Sequence, residues 1–261
     1  MAIGSARYAP RRRPDTVDSM SDLFPTLRDC ADEIGRSIEA HRGRGYSGLR
    51  ESQYHLDVVA DEVARRVLGA AGWRVVSEES GVTGSGPLTV VVDPIDGSTN
   101  CDHGVPFFAT SLAVLAEGEL VAGYVVNHAT GTTYQAERGA GATRDGVTIA
   151  TSGRTRLRDA IVAFSGLPSH HAGWAQFRAL GAASLEICLV ADGSLDAYGV
   201  AQQSTLNPWD YLAGLLIARE AGAADTDYRG EQLVTDGAVV RRPLIAATTS
   251  LLGELVSIGP L

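Results

Sequence analysis

The stretch V-V-V-D-P-I-D-G-S-T-N, Val90 to Asn100, decides how the rest of the chain is read. The apolar run Leu88 to Val92 predicts a buried strand. Pro94 has no backbone donor and a fixed φ, so the strand is expected to stop there. Gly97 permits a tight turn, and Ser98, Thr99 and Asn100 are good helix-start residues. Two carboxylates, Asp93 and Asp96, would then stand at a strand end opposite the free N–H groups of a new helix. Carboxylate oxygens suit Mg²⁺, and a helix N-terminus suits phosphate. An acidic turn with an Asx cap accounts for any one of these residues but not for the whole string.

Three other stretches carry chemistry-bearing residues in order around it. Leu56 to Leu68 (L-D-V-V-A-D-E-V-A-R-R-V-L) has helical periodicity, with Asp61 inside it. Arg74 to Ser80 (R-V-V-S-E-E-S) reads as a short strand running into Glu78 and Glu79. Asn207 to Gly214 (N-P-W-D-Y-L-A-G) reads as a helix start, with Asn207 as cap, Pro208 at the first helical position and Asp210 in the first turn.

Asp93 to Asn100 resembles the D-P-[IL]-D-G-[ST]-x-N signature of the inositol monophosphatase family of Mg²⁺-dependent, Li⁺-sensitive phosphatases. Leu56 to Leu68 is similar to that family's V-T-x-A-D segment, Ser77 to Ser80 to its G-E-E-S, and Trp209 to Gly214 to its W-D-x-A-A-G. Gly181 to Ala191 (G-A-A-S-L-E-I-C-L-V-A) resembles a fifth segment, G-[ST]-A-A-x-x-x-C-x-V-A. The resemblance runs from about Asp22 to Leu251. It implies an α/β (α+β layered) sugar-phosphatase fold of alternating helix and sheet layers, and a metal-dependent phosphoric monoester hydrolase. Glu78, Asp93, Asp96, Asp210 and the carbonyl of Ile95 would hold two Mg²⁺, with a third ion near Glu78 and Glu79; Mn²⁺ is a possible substitute. Asp61 and the Ser98 hydroxyl, with Glu78, would orient and deprotonate the attacking water. Substrate contacts would come from Gly97, Ser98, Gly181, Ala182, Ala183, Gln203 and Asp210. Two ions about 3.5–4 Å apart clamp both the attacking and the leaving oxygen of an in-line displacement.

The departures concern the substrate. Ala182 lacks the usual hydroxyl, Arg65 stands where Glu is usual, and Gln203 falls where many members carry a Glu that contacts substrate hydroxyls. The last exchange keeps hydrogen bonding but removes a charge. The resemblance implies a phosphate monoester of a small polyol or sugar as substrate, and the exchange at Gln203 speaks against myo-inositol monophosphate itself. Fructose 1,6-bisphosphate, a 3′-phosphonucleotide, histidinol phosphate, a specialised-pathway sugar or nucleoside phosphate, and a non-catalytic metabolite-binding module remain as alternatives. The resemblance also implies a homodimer.

Composition excludes much else. The 261 residues are 44% apolar and 20% charged, as in a folded protein with a sizeable core. A net charge of −9 and the lack of a basic stripe argue against a nucleic-acid partner. All 22 basic residues are Arg, which rules out a Schiff-base or P-loop lysine. Cys30, Cys101 and Cys188 are odd in number and scattered, which suggests reduced thiols in a cytoplasmic protein. No apolar stretch is long enough to cross a membrane. Residues 1–20, with Arg11-Arg12-Arg13 between prolines, read as a disordered tail, and 21–261 as a single domain.

Elsewhere, helices are expected over Asp22 to His41 (capped by Ser21 or Asp22), near Trp174 to Ala179, and from Thr249 onward. Ala109 to Ala150 should be an antiparallel meander, and Ala160 to Phe164, Gly222 to Asp227 and Leu244 to Ala247 further strands. Gly81 to Pro87 reads as a flexible connection and Arg42 to Ser47 as a loop; the resemblance implies that Arg50 stands where the family carries a Lys near the active site. His170 and His171 read as an exposed loop pair. Asn127 and His128 are given no chemistry.

Overall fold

The computed structural model describes residues 23–41, 43–50 and 52–259. The expected tail and the cap at Ser21 or Asp22 lie outside the described residues. Helices α1 (Leu23–Ala40) and α2 (His55–Ala70) precede a first sheet. That sheet is built from β1 (Arg74–Ser77), β2 (Gly81–Thr83), β3 (Leu88–Asp96), β4 (Ala109–Ala116), β5 (Glu119–Asn127), β6 (Thr133–Glu137), β7 (Gly141–Arg144) and β8 (Val147–Thr148), with the short helix α3 (Ser98–His103) after β3. Its spatial order is β2-β1-β3-β4-β5-β6-β7-β8. A second, five-stranded sheet has the order β10-β9-β11-β13-β12, from β9 (Ile161–Ser165), β10 (Gln176–Arg178), β11 (Ala197–Val200), β12 (Ala224–Asp227) and β13 (Pro243–Ala246). Helices α4 (Ala183–Ala191), α5 (Pro208–Glu220) and α6 (Thr249–Ile258) complete the chain.

The two-residue period of the strands sets the layering. In β3, Val90 and Val92 face α1 and α2, whereas Val91 faces α4 and α5; Val75 and Val76 of β1 divide the same way. In β9, Ala163 joins the α4–α5 core, while Val162 and Phe164 pack toward α6. The result is five layers: α1–α2, the first sheet, α4–α5, the second sheet, and α6. Position in this stack explains the helix compositions. The amphipathic α1 buries one face, with Leu23, Leu27, Cys30, Ala31 and Ile34, whereas α5 is buried almost all round from Pro208 to Ala218 because sheets cover it on both sides.

The meander forms as expected, and two of its hairpins are closed by residue pairs with positive φ, Glu117-Gly118 and Asp145-Gly146. Three local expectations are corrected. Strand β3 does not stop at Pro94 but runs on to Asp96, because its pairing with β4 is interrupted between Asp93 and Asp96, and this irregularity accommodates the missing N–H. Gly81–Thr83 pairs antiparallel with β1 as an edge strand instead of forming a free connection. The segment expected to be helical near Trp174 contains β10 instead. Trp174 packs against Phe164 at 5.4 Å between ring centres, and the strand pairs in parallel with β9. All three cysteines are buried and free. Among the described residues no helix is long and apolar enough to cross a membrane.

Candidate active site

Strand β3 delivers Asp93 and Asp96 into the space between the start of α5, the end of β1 and the start of α4. Asp93 is buried, and its Oδ1 accepts the Ile95 N–H at 3.0 Å, which fixes the turn around Pro94. Thr110 donates to the Pro94 carbonyl at 2.8 Å and pairs with His128 Nε2 at 2.7 Å. Burial lowers the pKa of His128 to about 4, so the ring is neutral there and serves to hold the turn. Carboxylate oxygens of Glu78, Asp93 and Asp210 come within 4.8 Å of one another, the one such group of three or more among the described residues.

Without a counter-ion this cluster is electrostatically unsatisfied. Loss of water and then repulsion from Glu78, Asp96 and Asp210 raise the Asp93 pKa well above the usual carboxylate range. Asp210 is raised for the same reasons, against the stabilising Asn207 N–H bond. Glu78 is exposed as a residue, but its carboxyl end turns in toward Asp93; desolvation of that end, then repulsion from Glu79, push it up to about 7. Three carboxyls that can be charged together only at high cost form a group that could hold a metal ion.

Asp96 is placed differently. Its two oxygens accept the Ala183 N–H (3.1 Å), the Ser184 N–H (2.7 Å) and the Ser184 hydroxyl (2.5 Å), so it caps α4. Burial raises it to about 6, with these hydrogen bonds opposing the shift. An ionised carboxylate has about four lone-pair sites, so one is left over. Ile95 is buried within the turn. Glu79 faces the other way, accepting from Arg50 and Gln53. The expected approach of the Arg50 loop is thus seen as an ion pair with Glu79.

Gly97 begins α3 with φ +83°, and a Cβ there would lie 2.9 Å from the Gly181 carbonyl and 3.1 Å from the Ala182 Cβ. Both conformation and space demand glycine. Asn100 donates from Nδ2 to the carbonyls of Phe107 and Leu180, each at 2.8 Å, and so fastens α3 to the segment before α4. These contacts bring Gly97, Ser98, Gly181, Ala182 and Ala183 together. Ser98 is half-buried, and its hydroxyl makes no hydrogen bond among the described residues.

Asp61 is not brought to the cluster. Its oxygens accept from Ser77 (2.6 Å), Ser80 (2.9 Å) and Arg65 (2.9 Å). The carboxylate one turn earlier, Asp57, is the one turned toward the site. It accepts the Tyr54 N–H at 2.8 Å at the start of α2, and the fields of Glu79 and Glu78 reach it. Burial raises Asp57 to about 7. In the sequence Asp57 and Asp61 share a helix face, and only V-V-A-D, ending at Asp61, resembles the family segment. The signal that could have found Asp57 is an acid three residues after Tyr54, ahead of the apolar run.

A cleft of about 290 Å³ adjoins the cluster, lined by residues that include Asp96, Asp210, Phe164, Ser165, Leu206 and Glu186. Glu186, also missed, is buried in α4 and accepts the Leu180 N–H at 2.8 Å; burial raises it to about 8. Gln203 is exposed in the loop after β11 and does not line the cleft. His170 is exposed on Ser169, and His171 pairs with the Trp174 carbonyl at 3.0 Å, as a surface loop pair.

Residues 53–258 match the inositol monophosphatase family. The chain belongs to this family of phosphatases. It is 36% identical over 225 residues to a fructose-1,6-bisphosphatase/inositol-1-monophosphatase of Archaeoglobus fulgidus, covering 81% of this chain and 87% of that one. It is also 36% identical over 166 residues to an inositol-1-monophosphatase of Mesorhizobium japonicum, covering 58% of this chain and 61% of that relative. Among solved structures, a Pyrococcus horikoshii protein with similarities to inositol-1 monophosphatase superposes with a TM-score of 0.79 at 28% identity, over 89% of this chain and 98% of that one. The layered fold and the family expected from the sequence therefore hold.

Proposed function

We propose that the protein hydrolyses a phosphate monoester of a small polyol or sugar in a Mg²⁺-dependent reaction. The observation that carries this reading is the convergence of Glu78, Asp93 and Asp210 within 4.8 Å, three carboxyls from separate elements that repel one another. Hard oxygen donors at this density fit Mg²⁺ or Mn²⁺, held by these three with the remaining lone pair of Asp96 and the Ile95 carbonyl. When bound, such ions activate water and stabilise the leaving oxygen. Two ions suit this donor set, and Glu79 is engaged with Arg50 and Gln53, which disfavours it as a ligand for a third.

The chain's own residues supply the rest. Ser98 offers an uncommitted hydroxyl at the start of α3, where the Gly97 and Ser98 N–H groups would take the phosphate oxygens. Asp57, raised to about 7, is poised to accept a proton near neutral pH and is assigned the water-orienting role in place of Asp61, whose carboxylate is spent on Ser77, Ser80 and Arg65. Gly181, Ala182 and Ala183 would border the leaving group through their backbone. Gln203 lies outside this cleft wall and loses its assigned contact.

Phosphate release from a panel of monoesters, with Mg²⁺ and after chelation, tests the proposal. Release that needs Mg²⁺ is expected, along with inhibition by Li⁺ at saturating Mg²⁺. Equal release by metal-free protein would overturn it. By family resemblance the protein would work as a homodimer, and its scattered free cysteines suit the cytoplasm; sedimentation and fractionation can check both.

A further inference from the structure

The cleft beside the metal-ligand cluster has an ionisable lining made only of acids: Asp96, Asp210 and Glu186. The rest is apolar, glycine or Ser165, whose hydroxyl is paired with the Tyr198 hydroxyl at 2.7 Å. On the phosphatase reading above, Asp96 and Asp210 are offset by bound cations. Glu186 has no such partner. It stands at 1% exposure, with backbone N–H groups of Leu180 and Gly181 as its hydrogen-bond donors.

Two guanidinium groups adjoin this lining, Arg178 by sequence and Arg241 by backbone pairing, and both are already engaged. Arg178, next to Ala179, folds back on the Phe177 carbonyl and the Gln176 side chain, each at 2.8 Å. Arg241, bridged through its backbone to Leu206, binds the carbonyls of Gln232 and Val240. A second phosphate in the cleft would therefore lose water without gaining a counter-charge, which is costly for a dianion. A hydroxyl or ammonium group would find an acceptor in Glu186.

We propose that Glu186 is a specificity residue of the leaving-group cleft, selecting esters with a single phosphate and a donor-bearing leaving group and rejecting bisphosphates. This rests on the phosphatase reading and narrows it.

The test compares glycerol 2-phosphate, phenyl phosphate and fructose 1,6-bisphosphate on the Mg²⁺-loaded protein and on Glu186→Gln. Glutamine keeps an acceptor for the Leu180 N–H but turns the second oxygen into a donor. For the wild type, kcat/KM for glycerol 2-phosphate should exceed that for the bisphosphate at least tenfold. In the variant that ratio should shrink at least threefold, with KM rising for glycerol 2-phosphate and falling for the bisphosphate. A residue that only supports α4 would move both in the same direction. A wild type that prefers the bisphosphate, or a variant with an unmoved ratio, overturns the assignment. If the variant does not fold, the wild-type ratio alone decides. Phenyl phosphate, which has neither donors nor a second phosphate, separates the two levels of inference. No Mg²⁺-dependent turnover of any ester defeats the phosphatase reading itself, whereas turnover without discrimination defeats only the role of Glu186.

Discussion

Helices α2 and α5 begin in the same way and teach different lessons. Each carries an acid three residues after its cap, and each acid accepts the cap residue's backbone N–H: Asp57 from Tyr54 at 2.8 Å, Asp210 from Asn207 at 2.7 Å. Both helix starts point at Glu78, whose carboxyl feels Asp57 and in turn raises Asp210. Asp210 is drawn into the three-carboxylate group, but Asp57 stays outside it, beside Glu79 and Arg50. The same capping geometry thus serves one acid as a candidate ligand and the other as a candidate base. What separates them is the neighbouring strand end, since β3 brings Asp93 to one and β1 brings Glu79 to the other.

The strongest way to break this comparison is to remove the cation it presupposes. Chelation should abolish turnover, and added Mg²⁺ should restore it, followed by phosphate release. Next comes Asp210→Asn, which keeps the capping acceptor and removes the charge. If that charge supports about 4 kcal/mol of transition-state stabilisation, kcat should fall roughly a thousandfold. The variant should keep the wild-type circular dichroism spectrum and bind one fewer tight Mg²⁺. Near-normal activity would make Asp210 only a helix-start acid like many others.

Asp57→Asn should lower kcat by about a hundredfold, the scale of a lost general base, while leaving Mg²⁺ stoichiometry unchanged. Asp61→Asn sharpens the contrast. Its carboxylate holds two serine hydroxyls and Arg65, so it should cost about 1–3 kcal/mol of stability in denaturant melts and spare most of kcat. The reverse pattern would return the water-orienting role to Asp61.

The smallest expected effect is in pH-dependent stability. Asp57, Glu78, Asp96 and Glu186 are raised to about 7, 7, 6 and 8 in the metal-free fold. The folded state then holds protons that the unfolded chain releases near pH 4. This contribution is complete below that pH and is lost as pH rises through about 6 to 8. Metal-free protein should melt several degrees lower at pH 8 than at pH 5. Saturating Mg²⁺ should narrow the difference, because ligated carboxyls no longer need a proton. An equal drop with and without Mg²⁺ would mean the cluster does not carry it.

Much of this was legible in the chain. D-P-I-D-G-S-T-N placed Asp93 and Asp96 at a strand end and Gly97 at a turn, because glycine, proline and carboxylates each have few alternatives in so short a string. N-P-W-D fixed the start of α5 and put Asp210 in its first turn through local capping chemistry. The alternation of apolar residues announced the strands of the meander, and residue pairs such as Asp145-Gly146 its turns. Local propensity and short-range hydrogen bonding suffice for such features.

Other features depend on partners distant in sequence. The choice between Asp57 and Asp61 turns on whether Ser77, Ser80 and Arg65 or Glu79 stands opposite. Asp96 looked like a simple ligand until α4 presented Ala183 and Ser184 to it, 87 and 88 positions along the chain. Pro94 lies inside a strand only because β3 and β4 pair irregularly at that point. Glu186 reads as the one charged residue in an apolar helix, and it became a cleft residue when the two sheets closed on either side of α4. By itself, then, the sequence determined the family, the central carboxylates and the elements that bear them, since these follow from local backbone chemistry. Only the tertiary structure decided which carboxylates converge, which are neutralised by hydrogen bonds and which face the substrate, because a charged group's role is set by what is packed against it.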